Sequence, residues 1–224
     1  MQAALNRRFV KLPRSFYLRS TLKVARDLLG TYLYRCVGKT ILVGRIVEVE
    51  AYLGANDPAS HAYRGKTKRN EVMFMKGGHL YVYFTYGMHF CSNVVTGKEG
   101  IGNAVLLRAI EPVRSIEIME RNRLAARRGA RYPSPVSRAQ RALDIHHLCS
   151  GPARLCQAFA LGRKDNGVDL CGTRIWLAKD AYGESSICIG SSTRVGISNG
   201  THHRWRFFIK GNPFVSRTKP TGAR

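Results

Sequence analysis

Two apolar, strand-like segments of this chain each carry charge where a buried strand should carry none. ILVGRIVEVE, residues 41–50, sets Glu48 and Glu50 on an otherwise aliphatic run, and NAVLLRAI, residues 103–110, sets Arg108 inside another. An unpartnered charge is costly to bury, so a fold that accepts both segments must pair these groups or leave them at strand ends. Residues two apart in a strand share a face, about 6.6 Å apart along the chain, so both carboxylates are expected to point the same way. A strand end whose acids meet surface arginines is the plain alternative. Arg108 shifts the balance, because a guanidinium in an apolar strand needs an anion and no other acid has so apolar a setting. A carboxylate held ionised by an arginine can orient and deprotonate a water.

Composition narrows the classes around that feature. Of 224 residues, 44% are apolar, and 37 Lys and Arg stand against 14 Asp and Glu, a formal net charge of +23. Such apolar content supplies a core, which excludes disordered and collagen-like chains. No run approaches the roughly 18 apolar residues of a spanning helix, so no membrane partner is expected. The charge recurs in acid-free blocks: seven basic residues in the first 26, seven arginines over 121–143 and seven basic residues in the last 40. Blocks of this kind suggest a striped basic surface and a nucleic-acid partner. Six cysteines without a CxxC pair, and the doublets His146-His147 and His202-His203, give neither a disulfide framework nor ligand spacing, so no metal is expected. No signal peptide is expected either. The arginine-rich start resembles a transit peptide in composition, but an ordered element begins too early to leave a cleavable leader.

Along the chain, residues 20–30 predict a short helix, with Ser20 as N-cap and Gly30 past its end. TYLYRC, ILVGRIVEVE and NAVLLRAI predict strands, and HLYVYFTYGMHFCSNVVT predicts a hairpin about Gly87. Glu111-Pro112 opens a predicted helix reaching Arg128, with proline at its first position and Gly129 beyond its end. SRAQRALDIHHL and ARLCQAFAL predict further helices, while RIWLA, SICIG, TRVGIS and RWRFFIK predict strands. No repeat or long linker divides the chain, so one α+β domain is expected over residues 12–216, flanked by basic extensions at 1–11 and 217–224. Aromatic strands are usually core. A bulky Tyr86 at the hairpin tip, however, has no core to fill and suits wedging into a nucleic-acid stack. Tyr52 and Tyr83 then offer faces between which a flat base is held.

RIVEVEAYLG, His61 eleven residues after Glu50, and MFMKGGHLYVYFTYGMHFCSN together resemble the alkyladenine (3-methyladenine) DNA glycosylase family. LLRAIEP, LCSGPARLCQAFAL, RVGIS and FFIKGNPFVS extend the likeness from about Leu12 to Ser216. The resemblance implies a single mixed domain with a curved, largely antiparallel sheet, surrounding helices and a protruding β-hairpin. It implies no metal or cofactor, a monomer, and monofunctional hydrolysis of the N-glycosidic bond of damaged purines. The DNA would be double-stranded and approached through its minor groove. Position by position, it makes Glu50 the residue that activates water and Arg108 the residue that helps hold it. Tyr52, His61 and Tyr83 fall at the base-stacking pocket and Leu106 at its wall. Asn93 falls where an asparagine would clash with the exocyclic amine of guanine. Tyr86 takes the place of the extruded nucleotide, with Met88 beside it near the DNA. The expected location is the cytoplasm or nucleoid of a bacterium, or the nucleus of a eukaryote.

Two other readings stay open on sequence. A non-catalytic RNA-binding module explains the charge and the aromatics but leaves Glu50 and Arg108 without purpose. An O-glycoside hydrolase could use Glu48 and Glu50 as an acid–base pair, since a separation of about 6.5–9.5 Å suits inversion. The glycosylase reading requires Glu50 and Arg108 to face one cavity able to admit a nucleoside.

Overall fold

The structure is a computed structural model that describes residues 9–85, 87–128, 144–181 and 187–217. In chain order its strands are Phe9–Lys11 (β1), Tyr32–Val37 (β2), Thr40–Leu53 (β3), Leu80–Thr85 (β4), His89–Thr96 (β5), Asn103–Arg114 (β6), Ile175–Asp180 (β7), Ile189–Ser192 (β8) and Arg206–Ile209 (β9). The helices are Arg14–Tyr17 (α1), Thr21–Leu28 (α2), Ile116–Arg128 (α3) and Pro152–Ala158 (α4).

β3 is the spine. Its Ile and Val residues favour extended backbone, and its fourteen residues are enough to take two partners in turn along one edge. β2 pairs with residues 40–45 and β9 with Glu48, Val49 and Glu50. β6 runs along the other edge, and the sheet continues through β5 to β4. On the β2 side it extends through β7 to β1, while β8 pairs with β9. Every one of these pairings is antiparallel.

The two faces of the sheet bury different things, as a period of two requires. Leu80 and Val82 of β4, Val94 of β5 and Leu107 of β6 join the main core with Val24 and Leu28 of α2, Met119 of α3, and Leu155 of α4. Tyr81, Val95 and Ala104 point the other way, into a smaller cluster with Ala62, Val72 and Met73. The result is one α+β domain whose largely antiparallel sheet has helices on its main-core side. The segment between β3 and β4 covers the far end of its other face.

β3 and β6 do not run in simple register. Ile46 faces Ile110, Glu48 faces Ala109 and Val49 faces Leu107, so first Val47 and then Arg108 is the extra residue of a bulge. A further shift falls at Gly44, where any side chain would collide with Ile110 and crowd Phe159. Glycine is what allows this approach.

Several expectations need correction. The helix expected to open at Glu111-Pro112 begins at Ile116. β3 is long enough to hold Glu111 opposite Arg45 and Pro112 opposite Gly44, so β6 runs on to Arg114 and turns at Ser115 with φ 61°. TRVGIS is irregular, not a strand. Of SRAQRALDIHHL, residues 137–143 lie outside the described residues, and Ile145–His147 is a 3-10 turn capped by the Asp144 carboxylate, which accepts from His146 N–H at 2.9 Å. Of the expected extension 1–11, Phe9–Lys11 form β1 and the rest lies outside the described residues.

Candidate active site

The paired register of four strands draws a row across the sheet. Glu50 of β3 lies opposite Leu106 of β6, Leu106 opposite Asn93 of β5, and Asn93 opposite Tyr81 of β4. Above this row opens a cavity of about 440 Å³, within the usual range for small-molecule sites. Tyr52, His61, Tyr83, Asn93, Leu106 and Arg108 all line it. Segment 58–59 and loop 195–199 form its walls.

Arg108 is buried at the cavity floor and reaches both glutamates. Its Nε donates to Glu48 Oε1 at 3.0 Å, and its Nη1 lies 3.3 Å from Glu50 Oε1. Burial alone would favour loss of its proton, but Glu50 and then Glu48 hold it charged.

The two glutamates are treated differently. Glu48 accepts from Arg108, from Arg206 Nε at 2.7 Å, and from Ser216 through both Oγ at 2.8 Å and N–H at 2.7 Å. Four donors are about what a carboxylate can take. Burial would raise its pKa, yet Arg108, Arg206 and Ser216 outweigh burial and hold it below its ordinary value. With four donors on its two oxygens and no exposed surface, Glu48 has no free site from which to serve a sugar or a water as acid or base, which counts against the paired-glutamate O-glycoside hydrolase. Glu50 accepts from Tyr52 Oη at 2.9 Å and from Val195 N–H at 2.7 Å. Burial, then the charge of Glu50, pushes the Tyr52 hydroxyl well above its ordinary pKa, so it stays a donor.

Glu50 has no exposed surface, so the requirement that Glu50 and Arg108 face one cavity is met by Arg108 alone, and the expectation for Glu50 needs correction. Its carboxylate stands behind Tyr52, Arg108 and Val195, and those three do line the cavity. A row of paired strands fixes which face a side chain takes but not what closes over it. Here loop 194–200 closes over it.

The aromatic wall is built on β4. Tyr81 and Tyr83 stack with centroids 5.4 Å apart, and His61 sits edge-on to Tyr83 at 4.5 Å with Nδ1 3.1 Å from Tyr81 Oη. Burial, then Arg69, holds His61 below its ordinary pKa, and burial raises Tyr81 to about 12. Asn93 is fixed by Nδ2 donating to Tyr81 O at 3.2 Å. Met88 stands 66% exposed at the hairpin tip, away from the cavity. Tyr86 lies outside the described residues.

Sequence reasoning missed three contributors. Cys91 lines the cavity below Tyr83 as a buried thiol whose pKa burial raises. Val195 supplies a backbone N–H, which no side-chain pattern announces. Arg194 and Asp57 form a fully buried ion pair behind Tyr52. A lone arginine in TRVGIS, like Arg108 in its strand, was the available sign. Among the described residues, no group of three or more His, Cys, Asp or Glu side chains is placed to hold a metal ion, and no helix is long and apolar enough to cross a membrane.

An aromatic cavity floored by a buried carboxylate–guanidinium pair, on a chain of such positive charge, is the equipment of a hydrolase that works on a base-bearing polyanion. A family model described as methylpurine-DNA glycosylase matches residues 15–213. A protein of Carboxydothermus hydrogenoformans is 49% identical over 92% of this chain and 98% of its own length. One from Alkaliphilus oremlandii is 44% identical over 93% and 100%, and one from Burkholderia lata 46% identical over 92% and 90%. All three carry the provisional name 3-methyladenine DNA glycosylase. The chain belongs to the methylpurine-DNA glycosylase family. It is a DNA-repair hydrolase that acts on alkylated bases, and DNA is its substrate.

Proposed function

We propose that the chain is a monofunctional glycosylase that turns a damaged purine out of duplex DNA, holds it in the tyrosine-lined cavity and hydrolyses its N-glycosidic bond. The observation that carries this reading is Arg108, which lines the cavity while its guanidinium joins Glu48 to Glu50.

The basic surface binds duplex phosphates, an affinity that falls steeply with salt. The β4–β5 hairpin enters the minor groove with Met88, and Tyr86 fills the space left by the extruded nucleotide. Flipping costs a few kcal/mol, least where damage has weakened pairing. Tyr52 and Tyr83 take the faces of the base, and an alkylated purine that carries positive charge gains about 0.5–2 kcal/mol from them. Deaminated and etheno purines fit the same aromatic site but lack that charge.

A 3.3 Å contact leaves no room for water, so the Arg108 Nη1–Glu50 contact opens as the purine enters and admits one. There the water donates to Glu50 and accepts from Arg108. As the C1′–N bond breaks, its electron pair leaves with the purine, and Glu50 steadies the oxocarbenium-like sugar. The water oxygen bonds C1′ and its proton passes to Glu50, leaving a free base and an abasic site. No lysine is among the cavity-lining residues described, in keeping with water as the nucleophile in place of an amine. A monomer is in keeping with this scheme, in which one chain supplies every group.

Glu50→Gln keeps the shape and removes the base. Excision of 3-methyladenine from duplex DNA should fall by at least about a hundredfold, the scale of general-base catalysis, with damaged-duplex affinity retained. Excision at the normal rate would refute the assignment.

A further inference from the structure

Among the described residues the largest fully buried side chain is Arg194, and the proposed mechanism makes no use of it. Its guanidinium meets Asp57 as a fork: Nη1 donates to Oδ2 at 2.5 Å and Nη2 to Oδ1 at 2.8 Å, with both side chains fully buried. The same two nitrogens reach Ala51 O at 2.9 Å and Gly200 O at 3.4 Å. The guanidinium also lies 4.6 Å from the ring centroid of Tyr52. Asp57 in turn accepts from Leu53 N–H at 3.2 Å and Ala59 N–H at 3.1 Å. Gly200, at φ 60°, comes close enough that a Cβ would stand 3.1 Å from Arg194 Nη2 and 3.3 Å from Asp57 Oδ1. A side chain there would crowd the pair and strain the backbone, so glycine suits this close approach.

Each end of this ion pair is one or two residues from a cavity wall. Asp57 precedes Pro58 and Ala59, and Arg194 precedes the run 195–199. The pair also backs Tyr52, which bonds Glu50, and Val195 N–H bonds the same carboxylate. We infer that the Asp57–Arg194 pair is a positioning device that sets the width of the base cavity, and with it the size of alkylated base the enzyme accepts.

This inference rests on the proposed function, because it assigns the selectivity of that same site. Two buried charges locked by a fork resist parting, since removal of either leaves the other uncompensated. A rigid span between the walls is able to discriminate among bases of equal charge and different girth.

The test compares two cationic substrates. Duplex DNA is alkylated with a methylating or a propylating reagent, and the released 3-alkyladenines are resolved by chromatography. Wild type, Asp57→Asn and the milder Arg194→Lys are assayed under single turnover, well below the melting temperature of each. The propyl-to-methyl release ratio should rise about tenfold in Asp57→Asn, the scale on which a pocket discriminates small apolar groups. Arg194→Lys should move it in the same direction by less, with duplex affinity unchanged in both. An equal fall on both bases, or an unchanged ratio, overturns the inference and leaves the pair as scaffold. A wild-type protein that releases neither base overturns instead the function on which the inference stands, and Glu50→Gln supplies the zero-activity baseline that tells these failures apart.

Discussion

Glu48 fixes the direction of Arg108. The Nε–H···Oε1 bond at 3.0 Å between them leaves Nη1 against Glu50 at 3.3 Å, so the outer carboxylate of the pair aims the guanidinium at the inner one. Arg206 and Ser216 hold Glu48 in turn, which makes the end of the described chain part of the support of the cavity floor.

Removing Glu48 therefore takes this carboxylate from buried Arg206 and leaves Arg108 with Glu50. Glu48→Ala should cost about 3–5 kcal/mol, as breaking a buried pair does, measured as a lowered midpoint in urea unfolding. The pH dependence follows from the depressed pKa. The unfolded chain protonates Glu48 more readily than the folded one, so its contribution is full above its ordinary value of 4.5 and is lost as pH falls through the lower folded value. The melting temperature of wild type should thus decline below about pH 4.5, and Glu48→Gln, which cannot titrate, should start lower and decline less steeply over that window.

His61 gives a second pH dependence, nearer neutrality. Its pKa is held below 6.5 by burial and then by Arg69, so it is neutral at pH 7 and takes up a proton only as pH falls through its lowered value. The unfolded chain again binds that proton more readily, so stability too declines on the acid side of 6.5. A charged imidazole 4.5 Å from the Tyr83 ring repels a cationic purine held on that ring. On the proposed function, release of 3-methyladenine should slow as the ring protonates, while any release of neutral hypoxanthine should escape this repulsion. A single-turnover pH profile of His61→Gln should lack the difference between the two bases.

What could be read in the sequence was local or periodic. The strand pattern of 40–53, the hairpin arms about Gly87 and the misfit of Arg108 in NAVLLRAI all follow from neighbours a few residues away. What could not be read depends on partners far along the chain. Pro112 looks like a helix start until β3 proves long enough to hold it opposite Gly44. Val-Gly-Ile in TRVGIS alternates like a strand, yet the segment is bent around Arg194, whose anion stands 137 positions earlier. The bulges at Val47 and Arg108 leave no trace in hydrophobic pattern, although they are what brings one guanidinium between two carboxylates. Burial of Glu50 was likewise invisible, because the group that covers it is the backbone of Val195.

Asn93 carries the prediction most specific to base choice. It is buried at the cavity wall, directly across from Tyr81 in the β4–β5 ladder, and its side-chain amide is tied to Tyr81 O at 3.2 Å, so it cannot rotate aside without losing that bond. On the proposed function, a fixed amide at this point would exclude a base bearing an extra amine, and its rigidity would make the exclusion effective. Asn93→Ser removes both the bulk and the tether while leaving a small polar group in the strand. The variant should release guanine from undamaged duplex DNA at a slow but measurable rate, whereas wild type releases none above background. Its 3-methyladenine rate should stay within about tenfold of wild type, because that base makes no demand on the amide. Were guanine release to stay at background while 3-methyladenine excision fell sharply, Asn93 would be a support for Tyr81 and the selectivity would reside elsewhere in the wall.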